Sequence, residues 1–101
     1  MGLLGEDISA KQAKEWGLIW DCVPDEELIP KAEEIAKKLA NGPITGLKEI
    51  VKAHDKALSG SLSEQLDYEK ETQRIRLDSK DFREGVTAFA EKRKPNFKDL
   101  D

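Results

Sequence analysis

Apolar residues recur every three or four positions along most of the chain, which is the spacing of one face of an α-helix. The first such segment follows Ser9, a favourable N-cap, and predicts a short helix from about Ala10 to Trp16 that Gly17 ends. A second helix is expected to begin near Pro30, because proline is tolerated only in the first helical turn. Its apolar positions are Ile29, Ala32, Ile35, Ala36 and Leu39.

Two further helices are predicted between Ile44 and Leu77. The first runs from Ile44 towards Gly60, and its apolar face contains Leu47, Val51, His54 and Leu58. The second opens with Ser61 and Glu64, which match the Ser-x-x-Glu capping box. Its apolar residues lie on two sides, so this helix is expected either to fray or to contact two neighbours. One side holds Leu62, Leu66 and Leu77, and the other holds Tyr68, Thr72 and Ile75.

A last helix is expected to begin after Ser79 and to end at Pro95. Its predicted buried stripe is Phe82, Val86 and Phe89. The segment from Leu18 to Val23, LIWDCV, is rich in bulky and β-branched residues and predicts a short extended segment, although one strand without a partner cannot form a sheet. The predicted fold is therefore all-α, a bundle of about four to five helices with one short extended connector, in a single domain over residues 1–101.

Charge and composition exclude several classes of protein. Charged residues make up 38% of the chain, both signs are interspersed, and the net charge is −4. A nucleic-acid partner is not expected, because no basic field is present. No apolar run approaches the roughly 20 residues of a membrane span, and the N-terminus lacks the pattern of a signal peptide. With Cys22 as the one cysteine, a reducing, cytoplasmic location is the default expectation.

The chain carries few residues typical of catalysis. His54 lies on an apolar helix face, and the favoured interpretation is a partly buried packing histidine. Cys22 lies in an apolar segment without a nearby histidine, which favours a buried, inert thiol. No Cys/His cluster has the spacing of metal ligands, and no glycine-rich phosphate loop is present. We therefore predict no catalytic residue and no metal site in these residues.

The segment EGVTAFAEKRKPNF, Glu84 to Phe97, is the most informative stretch. Gly85 and Ala88 are small and three apart, which would let another backbone approach closely. The cations Lys92, Arg93 and Lys94 follow. Cations at a helix C-terminus suit the negative end of the helix dipole, and physics alone favours that structural role. Alternatively, Phe89 and Lys92, three positions apart, could stack a base and hold a phosphate. Spacing does not decide between these two interpretations.

Two motifs resemble one family. ISAKQAKEWGLIWDCVPDEEL, Ile8 to Leu28, is similar to the segment I-S-A-x-x-A-x-x-x-G-L-V-x-x-V-V-P-x-x-x-L of the enoyl-CoA hydratase/isomerase (crotonase) superfamily. DFREGVTAFAEKRKPNF, Asp81 to Phe97, resembles the closing D-x-x-E-G-x-x-A-F-x-E-K-R-x-P-x-F of that family. The resemblance covers nearly the whole chain, and it extends only to the C-terminal helical domain of the crotonase-like fold.

The resemblance implies a role in an enzyme whose catalytic parts lie elsewhere. In the family, a spiral α/β core supplies the oxyanion hole and the acid/base residues, and these 101 residues contain neither. The family's C-terminal helices form trimers or dimers of trimers and cover the acyl-CoA site. An aromatic residue and a lysine of the last helix contact CoA there, and they correspond to Phe89 and Lys92. Acyl-CoA would be the parent enzyme's substrate, and no other cofactor is implied.

The reaction stays open at this point. EWGLI and EGVTAF suggest a bacterial hydratase or an isomerase of the phenylacetate-degradation type, whereas the chain alone should be inactive. The alternative function is a freestanding helical module that self-associates or binds a partner without binding CoA. A helical part without its core should also expose a once-buried apolar patch that includes Leu18, Ile19 and Trp20, with self-association or loose packing as the expected result.

Overall fold

The computed structural model describes residues 2–98 and residue 100, and all regular structure in this part of the chain is helical. Helix α1 spans Ala10–Glu15, and a 3₁₀ turn at Asp25–Glu27 leads into α2, Leu28–Ala40. Helices α3, α4 and α5 follow at Ile44–Ala57, Leu62–Leu77 and Lys80–Ala90. The all-α prediction is confirmed. The chain divides into two compact units, residues 1–34 and 35–101, and its assignment to a single domain stays a prediction.

Serine side chains begin three of these helices, as the sequence predicts. Ser9 and Ser79 each accept a hydrogen bond from a backbone N–H three residues further on. At α4 the Ser61 Oγ accepts from the Glu64 N–H at 3.2 Å, and the Glu64 carboxylate accepts from the Ser61 N–H at 2.8 Å. The capping box therefore satisfies N–H groups that have no partner inside the helix.

The segment from Leu18 to Val23 forms no β-strand. Its start bends rather than extends, because the N–H groups of Leu18 and Ile19 donate to the Ala13 carbonyl at 2.8 and 3.4 Å. Leu18, Ile19 and Trp20 are 53%, 40% and 74% exposed. The predicted exposed apolar patch is therefore present.

Within the second unit, α4 contacts both α3 and α5. The Gln65 side-chain amide of α4 donates to the Ala53 carbonyl of α3 at 3.1 Å. An ion pair between Arg76 and Asp81 joins the end of α4 to α5. The partly buried face of α3 consists of Gly46, Leu47, Glu49 and Ala53, and that of α4 consists of Gln65, Tyr68, Thr72 and Arg76.

The large apolar residues of these helices lie mostly outside the contacts. Val51 and Leu58 are exposed, and so is His54, so the prediction of a partly buried histidine is wrong. The leucines that share one side of α4, Leu62, Leu66 and Leu77, are exposed as well. The helices of this unit meet through small and polar side chains, and most of their apolar residues remain uncovered.

Helix α5 repeats this arrangement. Its inward positions are Asp81, Glu84, Gly85 and Ala88, which recur at helical spacing. Ala88 is 1% exposed and is the one fully buried residue in the described part of the chain. Phe82, Val86 and Phe89 are exposed, so their prediction as a buried stripe is wrong for this chain. The small residue Ala88 is buried on this inward side, and the bulky apolar residues of the helix face away from it.

No helix among residues 2–98 combines the length and the apolar character that crossing a membrane would demand.

Candidate functional site

The C-terminal end of α5 closes in a Schellman motif. The Arg93 N–H donates to the Ala88 carbonyl at 3.0 Å, and the Lys92 N–H donates to the Phe89 carbonyl at 3.2 Å. Glu91 is the C-cap of the helix, so Lys92 is the first residue beyond it. In this motif that residue has a left-handed backbone and is usually glycine. The helix therefore ends at Ala90, five residues before Pro95, where the sequence placed its end.

Lys92 is the one non-glycine residue with a positive φ in the described part of the chain, at 53°. The same motif ends α1, where Gly17 occupies the equivalent position with a φ of 73°. A left-handed conformation costs an L-residue about 1–2 kcal/mol, and this cost is absent for glycine. A lysine in place of glycine therefore holds a long cationic side chain at a position of backbone strain, a feature that is frequent at functional sites.

The position of Lys92 corrects one argument from the sequence. The spacing of three residues predicts that Phe89 and Lys92 are neighbours on one helical face, but in the structure Lys92 lies beyond the end of the helix. Phe89 lies in the last turn of α5 and is 87% exposed. A hydrogen bond of the motif joins the backbones of the two residues, so the helix end itself brings them together. An aromatic face and an ammonium group are thus both available to solvent here.

A wide apolar concavity of about 500 Å³ lies beside this end of α5. Phe82, Val86, Phe89 and Phe97 contribute side chains to it, together with Gly85. A Cβ placed on Gly85 would meet no atom of the described residues within 4 Å. The close approach expected at Gly85 is therefore absent within this chain, and the concavity is open rather than packed.

Arg93 is engaged in ion pairs, in contrast to Lys92. Its guanidinium donates to both carboxylate oxygens of Glu84, at 2.6 and 3.2 Å, and its Nε donates to Glu91 at 2.6 Å. The Asn96 N–H donates to the same Glu84 carboxylate at 2.8 Å. The Arg93 guanidinium, followed by the Asn96 N–H, lowers the pKa of Glu84 from 4.5 to about 2. We call Glu84, Arg93 and Asn96 the tail clamp.

Sequence reasoning assigned Arg93 to general helix-end charge and did not identify Glu84 or Asn96. Glu84 and Arg93 are nine residues apart, which no helical spacing rule connects. The available signal was Pro95, which prevents the chain from continuing as a helix and favours a turn. The described salt bridges engage Arg93 but neither Lys92 nor Lys94.

The other candidate residues are not organised as a reaction centre. A buried, inert thiol was predicted at Cys22, and its side chain is only partly buried; it lines a separate concavity with Lys11 and Lys14. His54 borders a shallow concavity between α3 and α4 with Glu49 and Tyr68. Among residues 2–98 and 100, no cluster of three or more His, Cys, Asp or Glu side chains is arranged to hold a metal ion. The end of α5 is the best candidate for a binding site.

Comparisons with known proteins identify the family of this chain. The family profile described as enoyl-CoA hydratase/isomerase matches residues 1–100. The 1,2-epoxyphenylacetyl-CoA isomerase of Escherichia coli K12 is 46% identical over 97 residues, covering 96% of this chain and 37% of the relative. The mitochondrial enoyl-CoA hydratase of Pongo abelii is 41% identical over 102 residues, covering 98% of this chain and 34% of the relative.

A solved structure leads to the same class of protein. The enoyl-CoA hydratase of Geobacillus kaustophilus superposes with a TM-score of 0.83 at 36% identity, covering 93% of this chain and 36% of that chain. The fold is thus that of the helical C-terminal part of crotonase-type proteins. The chain belongs to the enoyl-CoA hydratase/isomerase family and spans about a third of the length of the relatives it matches.

Proposed function

We propose that this chain provides the oligomer-forming helices and one edge of the acyl-CoA site of an enoyl-CoA hydratase/isomerase-type enzyme. Phe89 and Lys92 are the proposed CoA contacts. The observation that carries the proposal is the pairing, at one helix end, of a highly exposed aromatic ring with a strained lysine that forms no ion pair with the described residues. The 46% identity to an isomerase that acts on an acyl-CoA supports the substrate class.

Each contact has a defined chemical task. The Lys92 ammonium is a compact point charge with three N–H donors, which suits a phosphate of CoA. The Phe89 ring offers a flat apolar face on which the adenine ring can stack. Polarisation of the thioester and movement of protons are proposed to belong to the spiral core, which the family resemblance implies as the source of the oxyanion hole and the acid/base residues. The chain alone is therefore expected to bind without catalysis.

Oligomer formation is the second part of the proposal. Helices α4 and α5 expose many large apolar residues. Large exposed apolar patches mark interaction sites, so other subunits or the core of the enzyme would cover them. A trimer, or a dimer of trimers, is the proposed assembly of the whole enzyme. The isomerase chemistry of the phenylacetate type is the proposed reaction, and a hydratase is the alternative within the family.

A CoA titration followed by NMR tests the binding site. Amide signals of Phe89 and Lys92 should shift on addition of millimolar CoA, and the shifts should stay near the end of α5. Lys92→Ala should weaken binding roughly 1.4- to fivefold, the range for one exposed charge contact. Lys94→Ala is the matched control, since it removes the same charge two residues away and should leave binding unchanged.

The same experiment separates the proposal from the alternative function. If the chain is only a helical interaction module, CoA should shift no amide signal of Phe89 or Lys92. Such a module should still self-associate, which sedimentation equilibrium measures. Equal losses for Lys92→Ala and Lys94→Ala would also refute the site, because they indicate a general charge effect. The exposed apolar faces are the observation that favours the interaction module as the second candidate.

A further inference from the structure

The tail clamp joins Glu84, which precedes Lys92 in the sequence, to Arg93 and Asn96, which follow it. Glu84 lies on the inward side of α5 and its side chain is only 17% exposed, so its carboxylate is fixed by the helix. Arg93, the residue after Lys92, binds that carboxylate through two nitrogen atoms, which is the most directional form of an Arg–Glu pair. The Asn96 N–H binds the same oxygen as Arg93 Nη1. The chain is thus held back onto the helix on the C-terminal side of Lys92.

The clamp also engages Arg93, one of the three cations that follow the helix, in salt bridges. Arg93 lies between two carboxylates, those of Glu84 and Glu91, and its Nη1 also donates to the Lys94 carbonyl at 3.2 Å. Its positive charge is therefore largely balanced within the segment. The Lys92 and Lys94 ammonium groups form no salt bridge with the described residues. Of these two cations, Lys92 is the one at the left-handed position of the turn, between the helix and the clamped Arg93.

We propose that Glu84, through Arg93 and Asn96, is a positioning residue that holds Lys92 in its left-handed conformation and keeps its ammonium group available to a phosphate of CoA. This inference rests on the proposed function of Lys92. A lysine in a free chain end would lose backbone and side-chain freedom on binding phosphate. A turn that is fixed beforehand reduces that loss, and binding is tighter as a result.

The test compares two variants of Glu84 with a matched control. Glu84→Ala removes the clamp, and Glu84→Gln keeps a hydrogen-bond acceptor for Asn96 but removes the charge. Glu71→Ala breaks a second two-point Arg–Glu pair, with Arg74, that lies within α4 away from Lys92. Cross-correlated NMR relaxation reports the sign of φ at Lys92 without any ligand, and a CoA titration reports binding. Far-UV circular dichroism verifies that each variant retains its helices.

The three variants should differ in the size of their effects on the φ angle of Lys92 and on CoA binding. Glu84→Ala should shift Lys92 towards negative φ and weaken CoA binding roughly two- to tenfold, the range for ordering one such side chain. Glu84→Gln should fall between Glu84→Ala and wild type, and Glu71→Ala should change neither measurement. In a Lys92→Gly background, residue 92 should keep a positive φ even when Glu84→Ala is added, because glycine needs no support there.

The outcomes separate this inference from the proposed function. An unchanged φ at Lys92 in Glu84→Ala would overturn the positioning role, whatever happens to CoA. A changed φ with unchanged CoA binding would overturn it as well. If wild-type protein shows no CoA shift at Lys92 while φ depends on Glu84, the proposed CoA site fails and the clamp is only a helix-end structure.

Discussion

Replacing Lys92 with glycine should stabilise the protein relative to replacing it with alanine. Both variants lose the ammonium group, so any effect of that charge on the helix dipole is the same in each. They differ in the Cβ, which carries the cost of the left-handed backbone at a φ of 53°. This cost is about 1–2 kcal/mol, and the greater freedom of glycine in the unfolded chain offsets about 0.5–1 kcal/mol of it.

With the middle of each range, the expected difference is about 0.7 kcal/mol in favour of Lys92→Gly. Urea unfolding followed by far-UV circular dichroism measures it, and amide hydrogen exchange at Ala88 locates it at the end of α5. A reverse control exists in α1. Gly17 has a φ of 73°, and a Cβ there would meet no described atom within 4 Å. Gly17→Ala should therefore destabilise by a similar amount, through the backbone alone.

Equal stability of Lys92→Gly and Lys92→Ala would refute the claim that Lys92 is strained. A neutral Gly17→Ala would refute the general reasoning about these two helix ends. Both Lys92 variants should weaken CoA binding to the same extent, because each lacks the ammonium group. A variant that gains stability and loses ligand would show that the strained lysine is retained for binding.

Three further outcomes are expected. The pKa of Glu84 is lowered in the folded protein, so its carboxylate stabilises the fold above pH 4.5, and this contribution is lost as the pH falls through about 2. The difference in unfolding free energy between wild type and Glu84→Gln should therefore vanish between pH 4.5 and about 2. A difference that grows on acidification would contradict the pairing of Glu84 with Arg93. Ser61→Ala should cost about 1 kcal/mol through loss of the capping box, whereas Ser63→Ala, inside the same helix, should cost less; equal costs in urea unfolding would argue against the cap. Ala88→Leu should destabilise by about 1–3 kcal/mol because the site is filled, and thermal unfolding at an unchanged temperature would show that it is not.

The helices could be predicted because their signals are local. Ser9, Ser61 and Ser79 bond to N–H groups three residues away, and helical spacing needs no knowledge of distant parts of the chain. The inward faces could not be predicted in this way. The periodic pattern identifies the apolar side of α5, but in this chain the inward side is the one that carries Ala88. A pattern of apolar residues indicates that one face of a helix is suited to burial. It does not show whether another part of the same chain or a different chain covers that face.

The candidate site was predicted only in part. The family resemblance indicated Phe89 and Lys92, and their role as CoA contacts stays a prediction. The left-handed backbone of Lys92 was missed, because glycine is the usual sequence signal for that conformation. The pair of Glu84 and Arg93 was missed because it depends on a reversal of the chain after the helix. Such pairs become visible only when the path of the backbone is known.

The near absence of a buried interior has a consequence for calorimetry. Only Ala88 is fully buried among the described residues, and many large apolar side chains are already in contact with water. The heat capacity change of unfolding scales with newly exposed apolar area, so it should be small for the separate chain and its stability curve correspondingly flat. In the proposed oligomer, association should then contribute most of the heat capacity change, and the melting temperature should rise with protein concentration.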